Sequence, residues 1–171
     1  MCWQWPQSRI QRRLLANHTR CGLRGTCLMI AVDTNLLVYA HRTDAEFHES
    51  ALQALSQLAQ KGSRWTIPWP CAHEFISITT HPRIYDPPSP IEIALDALET
   101  WLESPHCIPL GEGFDYFKRL KNLALSGKVR GPMIHDARIA AICLDNGVQE
   151  LWTADRDFSR FGPLKTRNPL I

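Results

Sequence analysis

The sequence lacks several features that would point to common protein classes. No apolar run approaches the roughly 18 residues of a membrane-spanning helix, so we expect no membrane contact. There is no GxSxG motif, no P-loop and no dinucleotide-binding glycine fingerprint, which removes the usual motifs of serine hydrolases and nucleotide-binding enzymes. The formal net charge is also small, +2 in 171 residues, so the net charge does not indicate a nucleic-acid partner.

Cysteines are few and show no paired spacing. Three of the six lie near the N-terminus and three are dispersed singly through the rest of the chain: Cys2, Cys21, Cys27, Cys71, Cys107 and Cys143. The absence of CxxC pairs excludes a disulfide framework and predicts a reducing, cytoplasmic location. The segment "HEFIS" nearly matches the HExxH zinc motif, but Ser77 stands where the second histidine is needed.

Residues 1–28 differ in composition from the rest of the chain. They contain five arginines and no acidic residue, whereas residues 29–171 carry three more acidic than basic side chains. They show no helical or strand period, and no apolar core of a signal peptide. Two interpretations remain: a basic, disordered arm that contacts nucleic acid, or a mis-assigned start codon with Met29 as the true first residue.

Residues 29–171 alternate short apolar runs with longer periodic ones. Strands are predicted at 29–32, 64–68, 106–111 and 150–155, with a short edge strand near 164–166. Helices are predicted at 34–40, 44–62, 69–82, 90–104, 114–128 and 134–147. This alternation predicts one α/β domain with a central, mainly parallel sheet of four to five strands and helices on both faces. In the second helix, Asp44 is expected to cap the start and Gly62 to follow the end.

Acidic residues occur where ligands bind in such folds. Asp33 and Asp155 end two predicted strands, and ligands bind beyond the carboxyl ends of parallel strands. Glu74 and Asp136 lie on helices at positions that can face the same edge. Taken singly, Asp33 or Asp136 could be a helix cap, Glu74 a solvated residue, and Asp155 with Asp157 turn formers.

Together, these carboxylates indicate a cation site. No lysine or arginine occupies a matching position between them in the sequence. Two like charges about 4 Å apart repel by about 4 kcal/mol at an effective dielectric near 20, so protons or cations must neutralise such a cluster. Oxygen ligands favour Mg²⁺ or Mn²⁺ over zinc. Two such ions suit in-line attack of water on a phosphodiester, with no covalent nucleophile.

Four segments carry a family resemblance: "VDTNLLVYA", "HEFISITTHPRIY", "IHDARIAA" and "TADRDFSRF". In this order and spacing they resemble the PIN-domain nucleases, and among them the VapC-type ribonuclease toxins of toxin–antitoxin pairs. The resemblance covers 29–171 and implies a three-layer α/β/α fold. Because that family usually begins almost at its first strand, the resemblance favours Met29 as the true start.

The resemblance also implies a site and partners. Its four acids match Asp33, Glu74, Asp136 and Asp155 as catalytic residues and metal ligands, and a further ligand matches Asp157. Asn35 matches a position that orients the first acid, and Thr153 a hydroxyl beside the fourth. The family implies Mg²⁺ or Mn²⁺, an RNA substrate, homodimerisation, and a small antitoxin whose C-terminal segment fills the acidic groove.

RNA contacts are expected from the rim, because an acidic groove repels phosphates. Arg138, beside Asp136, is either a phosphate contact or a solvated helix residue. Two basic runs have the same alternatives: Lys118, Arg119, Lys121, Lys128 and Arg130, then Arg156, Arg160, Lys165 and Arg167. Tryptophans could stack on bases but are expected in the core: Trp65, Trp69 and Trp152.

Two other functions fit parts of the pattern. A catalytically inactive PIN-like module would bind RNA or a partner without cleaving, although all four acids are present. A phosphotransfer domain of the dehalogenase or receiver type would also place an aspartate after its first strand. Such domains need a lysine after a later strand, where this chain has "TADRDF".

Overall fold

The structure is a computed structural model that describes residues 28–171. The basic N-terminal segment, apart from Leu28, lies outside the described residues, so both interpretations of it stay predictions. Helices are α1 (Thr34–His41), α2 (His48–Gln60), α3 (Trp69–Thr79), α4 (Ile91–Glu103), α5 (Tyr116–Ser126) and α6 (Met133–Asp145), with a 3-10 helix at Arg156–Arg160. Strands are β1 (Ile30–Val32), β2 (Trp65–Thr66), β3 (Glu150–Trp152) and β4 (Lys165–Arg167).

The four strands form one parallel sheet in the order β2-β1-β3-β4. All three residues of β1 are buried. Because successive side chains of a strand point to opposite faces, burial of the whole strand means that both faces are covered. This confirms the predicted three-layer α/β/α fold. The order also places β1 beside β3, so the residues that follow them, Asp33 and Thr153, lie at one edge of the sheet.

The predicted strand at 106–111 is not a regular strand. It runs parallel to β2 with isolated bridges from Trp65 to Cys107 and from Pro68 to Leu110. Backbone bonds such as Ile108 N to Trp65 O (3.0 Å) hold it there. Ile108 and Leu110 donate toward β2, so the missing N–H of Pro109 faces the outer side, where it cannot bond a further strand and the segment stays an irregular edge.

The second predicted helix begins later than expected. The helix α2 starts at His48, and Asp44 does not cap it. Instead the Asp44 carboxylate accepts two bonds from Arg42, from Nε at 2.8 Å and from Nη2 at 2.6 Å. The predicted stop is confirmed, since the helix ends at Gln60 and Gly62 has φ +69°, a conformation that glycine adopts without strain.

The core lies between the helices and the sheet. Trp65 and Trp152 are buried in it, as expected, whereas Trp69 is partly exposed. Phe75 is fully buried and packs edge-on against Trp101, with ring centroids 5.2 Å apart. Among residues 28–171, no helix is long and apolar enough to cross a membrane.

Candidate active site at the carboxyl ends of the strands

Asp33 ends β1 and begins α1. Its backbone is extended, and its Oδ1 accepts a bond from Thr34 N at 2.8 Å, so the carboxylate caps the helix. The side chain is only 4% exposed. The capping and site interpretations of Asp33 are therefore compatible, because one oxygen serves the helix and the other faces β3.

A hydroxyl and an amide hold the second oxygen of Asp33. Thr153 Oγ1 donates to Oδ2 at 2.6 Å, and Asn35 Nδ2 donates to the same oxygen at 2.7 Å. Asn35 also accepts a bond from the backbone N of Ala154 through Oδ1, at 3.1 Å. Asp155 N in turn donates to Thr153 Oγ1 at 2.9 Å. This network joins the ends of β1 and β3 and fixes the orientation of the carboxylate.

Burial raises the pKa of Asp33 from 3.8 to about 6. The hydrogen bonds from Thr153 and from Thr34 N lower that pKa, because they stabilise the ionised form. The negative charges of Glu74 and Asp155 raise it further. A carboxylate this deep, beside two others, gains stability from any cation that reaches it.

Glu74 is carried to the same edge by α3. Its Oε2 accepts a bond from Thr34 Oγ1 at 2.6 Å, directly beside Asp33. The side chain is exposed, yet its position is set by a buried threonine. Solvation alone therefore does not describe Glu74, because a hydrogen bond from the first turn of α1 positions it.

Asp136 projects from the first turn of α6, where it makes no capping bond. Its pKa is raised, first by burial and then by the charges of Asp155, Asp157 and Glu74. Arg160 opposes this and lowers the pKa. The structure therefore brings Asp136 into electrostatic reach of the other acids, and the capping alternative for it does not hold.

Asp155 and Asp157 bracket the start of the 3-10 helix. Asp155 Oδ1 accepts a bond from Asp157 N at 2.8 Å, the turn-forming arrangement expected for these residues. Asp157 pairs with Arg160, Oδ1 to Nη2 at 2.9 Å. Arg160 thus supplies a positive charge at the margin of the acid group formed by Asp33, Glu74, Asp136 and Asp155. The sequence offered Arg160 as a rim contact or a solvated residue and did not indicate its pairing with Asp157.

Comparison with known proteins identifies this arrangement. The family model described as PIN domain matches residues 30–163, well over half of the chain. The chain belongs to the PIN-domain family. Within that family, its relatives place it among the VapC proteins. Ribonuclease VapC43 of Mycobacterium tuberculosis is 34% identical over 142 residues, which are 83% of this chain and 96% of the relative. Ribonuclease VapC48 of the same organism is 29% identical over 138 residues, 80% of this chain and 94% of the relative.

Solved PIN-domain structures share the fold. VapC20 of M. tuberculosis, described as a toxin that cleaves the sarcin-ricin loop, matches with a TM-score of 0.59 at 18% identity. The match covers 78% of this chain and 95% of that chain. VapBC2 of Rickettsia felis, solved on a promoter DNA fragment, matches with a TM-score of 0.58 at 20% identity, covering 82% of this chain and 98% of that chain.

Metal binding by this PIN domain can be judged from its donor atoms. Within residues 28–171, no group of three or more His, Cys, Asp or Glu side chains is already arranged around one point. The donors are nevertheless carboxylates, which suit Mg²⁺ or Mn²⁺. Burial is the largest cause of the raised pKa values of Asp33 and Asp136, and repulsion from neighbouring carboxylates adds to it, so a cation would stabilise their ionised forms. The chemistry of the donor set therefore fits a hard cation.

Arg138 lies two residues after Asp136 on α6, at the rim of the site. Its guanidinium pairs with Glu112, with Nε donating to Oε1 at 2.8 Å. The hydrogen bond from Arg138 lowers the pKa of the Glu112 carboxyl. Neither of the alternatives proposed for Arg138 anticipated the ion pair.

Two further residues belong to the site and were not predicted, Thr34 and Cys71. Thr34 bonds Glu74, and Cys71 Sγ lies 3.8 Å from Asp33 Oδ1. The signal for Thr34 was present in the sequence, since a polar residue between the acid of β1 and a buried helix needs a partner for its hydroxyl. Cys71 gave no such signal, because buried cysteines are common in cores.

Proposed function

We propose that this PIN domain is a Mg²⁺- or Mn²⁺-dependent endoribonuclease that acts as the toxin of a toxin–antitoxin pair. The observation that carries the proposal is the buried Asp33, whose pKa is raised to about 6 and whose carboxylate is held by Thr153 and Asn35 beside further acids. Relatives named as VapC ribonucleases support RNA as the substrate. The buried, unpaired cysteines of the described region suit a cytoplasmic protein.

In this proposal four carboxylates would hold the ion: Asp33, Asp136, Glu74 and Asp155. Asp157 would be an outer ligand. The chemistry that such an ion supplies is activation of water and neutralisation of phosphodiester charge. Thr153 and Asn35 keep the Asp33 oxygens in place, so little reorganisation is needed on binding. Thr34 does the same for Glu74.

Cleavage of single-stranded RNA with Mg²⁺ or Mn²⁺ tests the nuclease. Asp33→Asn and Asp136→Asn should each reduce cleavage by at least about 100-fold, because each removes a charge that neutral oxygen does not replace. Asp96→Asn is the matched control, since Asp96 is exposed on α4 and its side chain has no role in the site. Cleavage by both site variants at the wild-type rate would refute the proposal.

The catalytically inactive module remains the second candidate. It is favoured by the observation that, in the described part of the chain, no three potential ligands already converge on one point. Calorimetric titration of the full chain with Mn²⁺ separates the two. Binding that Asp33→Asn removes supports the nuclease, whereas no binding supports the inactive module.

The partners are proposed on the same basis. Matched structures include complexes titled VapBC, so we expect a small VapB-like antitoxin. A short reading frame directly upstream and growth arrest on expression would support the toxin role, and the absence of both would refute it. Homodimerisation is proposed from the family resemblance, and the exposed apolar side chains on α4 and before or along α5 are candidates for its interface: Ile91, Ile93, Leu95, Phe114, Phe117 and Leu125. Light scattering would measure the mass.

A further inference from the structure

A cavity of about 330 Å³ opens beside Glu74, between α3 and α6. Its polar and apolar walls come from one face of each helix: His73 and Ser77 of α3, and His135, Arg138 and Ile139 of α6. Spacings of three and four residues place these side chains on the facing sides of the two helices. The volume lies at the lower end of the range of ligand pockets, so the cavity suits one ring-sized group rather than a long segment.

The walls suit a flat ring. The imidazole of His73 stacks on the indole of Trp69, with ring centroids 5.9 Å apart and planes at 26°, so Trp69 fixes the orientation of the imidazole. Ile139 adds buried apolar surface. Unpaired RNA bases are bound by stacking on aromatic rings, histidine included, together with hydrogen bonds to their edges.

Arg138 provides a fixed donor at the wall. Nε and Nη2 both donate to Glu112, which holds the guanidinium plane in place. Tyr116 is a further hydrogen-bond partner of the guanidinium, and the N–H groups that Glu112 and Tyr116 leave free can donate to an acceptor on the edge of a base. The carboxylate of Glu112 also offsets the positive charge of Arg138, which disfavours a free phosphate group as the occupant and favours a neutral ring.

We propose that this cavity is a subsite for a single unpaired nucleobase of the RNA substrate. The proposal rests on the proposed function, because it names a determinant of substrate selection by the same site. Glu74 belongs both to the cavity wall and to the acid group around Asp33. A base bound in the cavity therefore places its own backbone near the carboxylates, so the subsite selects the nucleotide next to the cleaved bond.

A binding titration tests the subsite without catalysis. Single-stranded homo-oligomers of A, C and U and a G-containing hexamer are added to the full chain in EDTA, and the ring signals of His73 and His135 are followed by NMR. At least one base type should shift these signals saturably, and an abasic ribose-phosphate oligomer should not. Arg138→Gln should weaken binding on the order of 10- to 100-fold. Arg83→Gln, an exposed loop arginine, should leave it unchanged.

Two results would overturn the subsite. Equal shifts with the abasic oligomer would mean a phosphate contact only, and no shift with any oligomer would mean that no RNA base binds there. The NMR arm stays decisive even if the wild-type chain cleaves no RNA, a result that would refute the proposed function alone.

A cleavage assay tests selection. A random RNA pool is cut by the wild type, by His73→Ala, by Glu112→Gln and by the control Arg83→Gln, and the cut sites are sequenced. The wild type and the control should share a base preference at one position beside the cut. His73→Ala should reduce that preference about 10-fold, and Glu112→Gln should reduce it less, because it only releases Arg138. Unchanged preference in both variants would overturn the proposal, and urea unfolding checks that each variant folds.

Discussion

Replacing Thr153 by valine should raise the pKa of Asp33 above about 6, its value in the unmodified protein. The Thr153 hydroxyl donates to Asp33 Oδ2 at 2.6 Å, and this bond lowers the pKa by stabilising the ionised carboxylate. Valine keeps the β-branched shape of the buried side chain but removes the hydroxyl, both as donor to Asp33 and as acceptor from Asp155 N and Asn35 Nδ2. Burial of Asp33 then acts with less opposition, and the carboxyl holds its proton to higher pH.

The size of the effect follows from linkage. A pKa raised from 3.8 to about 6 corresponds to roughly 3 kcal/mol, at about 1.36 kcal/mol per pH unit. The folded state holds the proton more tightly than the unfolded state, so stability falls as pH rises between these values. The cost is absent below about pH 4 and complete above about pH 6. A hydrogen bond to a charged group contributes about 1.5–3 kcal/mol. The same bond to the protonated carboxyl at pH 4 contributes about 0.5–1.5 kcal/mol, so Thr153→Val should lose about 1–2 kcal/mol more stability at pH 8 than at pH 4.

Carbon-detected NMR of the Asp33 carboxyl, in EDTA, measures the pKa directly. Urea unfolding at pH 4 and pH 8 measures the two free energies. Thr153→Ser is the control, since it keeps the hydroxyl and should behave like the unmodified protein. The bonds that Thr153 Oγ1 accepts from Asp155 N and from Asn35 Nδ2 are lost at both pH values, so their cost cancels in the difference. An unchanged or lower pKa, or equal destabilisation at the two pH values, would refute the reasoning.

Three further predictions concern the metal, the core and the acid group. Millimolar Mn²⁺ should raise the urea midpoint at pH 8 but much less at pH 5, because Asp33 is protonated below about pH 6; equal gains at both pH values would contradict this. Phe75→Ala should lower the free energy of unfolding by about 3–5 kcal/mol, measured in urea, because the ring is fully buried and packs against Trp101. A loss under about 1 kcal/mol would show that the core collapses to fill the space left by the ring. Arg160→Gln should raise the pKa of Asp136 further, because it removes a positive charge that lowers this pKa; carbon-detected NMR measures this, and a fall in pKa would show that Arg160 acts by another route.

Much of the fold follows from local patterns in the sequence. The alternation of strands and helices and the exposure of β4 at the edge follow from apolar periodicity and from the stop signals, of which Gly62 is the clearest. The start of α2 does not follow, because Arg42 captures the Asp44 carboxylate that would otherwise cap a helix. A capping residue is recognisable in sequence, but a competing partner two residues away is not readily weighed against it.

The candidate site was predictable in composition rather than in connectivity. Strand ends and the family resemblance indicated Asp33, Asn35 and Thr153, yet the bonds among them join residues as many as 120 positions apart. The pairing of β1 with β3 brings them together, and no local pattern fixes its register. The role of Thr34 and the position of Arg160 needed side-chain geometry, which only tertiary packing determines.

The Asp33 carboxylate both caps α1 and forms the centre of the acid group. Alanine at this position would remove both, at a cost of about 0.5–2 kcal/mol for the cap alone. Asparagine keeps a capping oxygen while removing the charge. Because ionised Asp33 is destabilised by burial, a lineage of this chain that loses activity should exchange aspartate for a neutral capping residue, asparagine or serine, rather than for alanine.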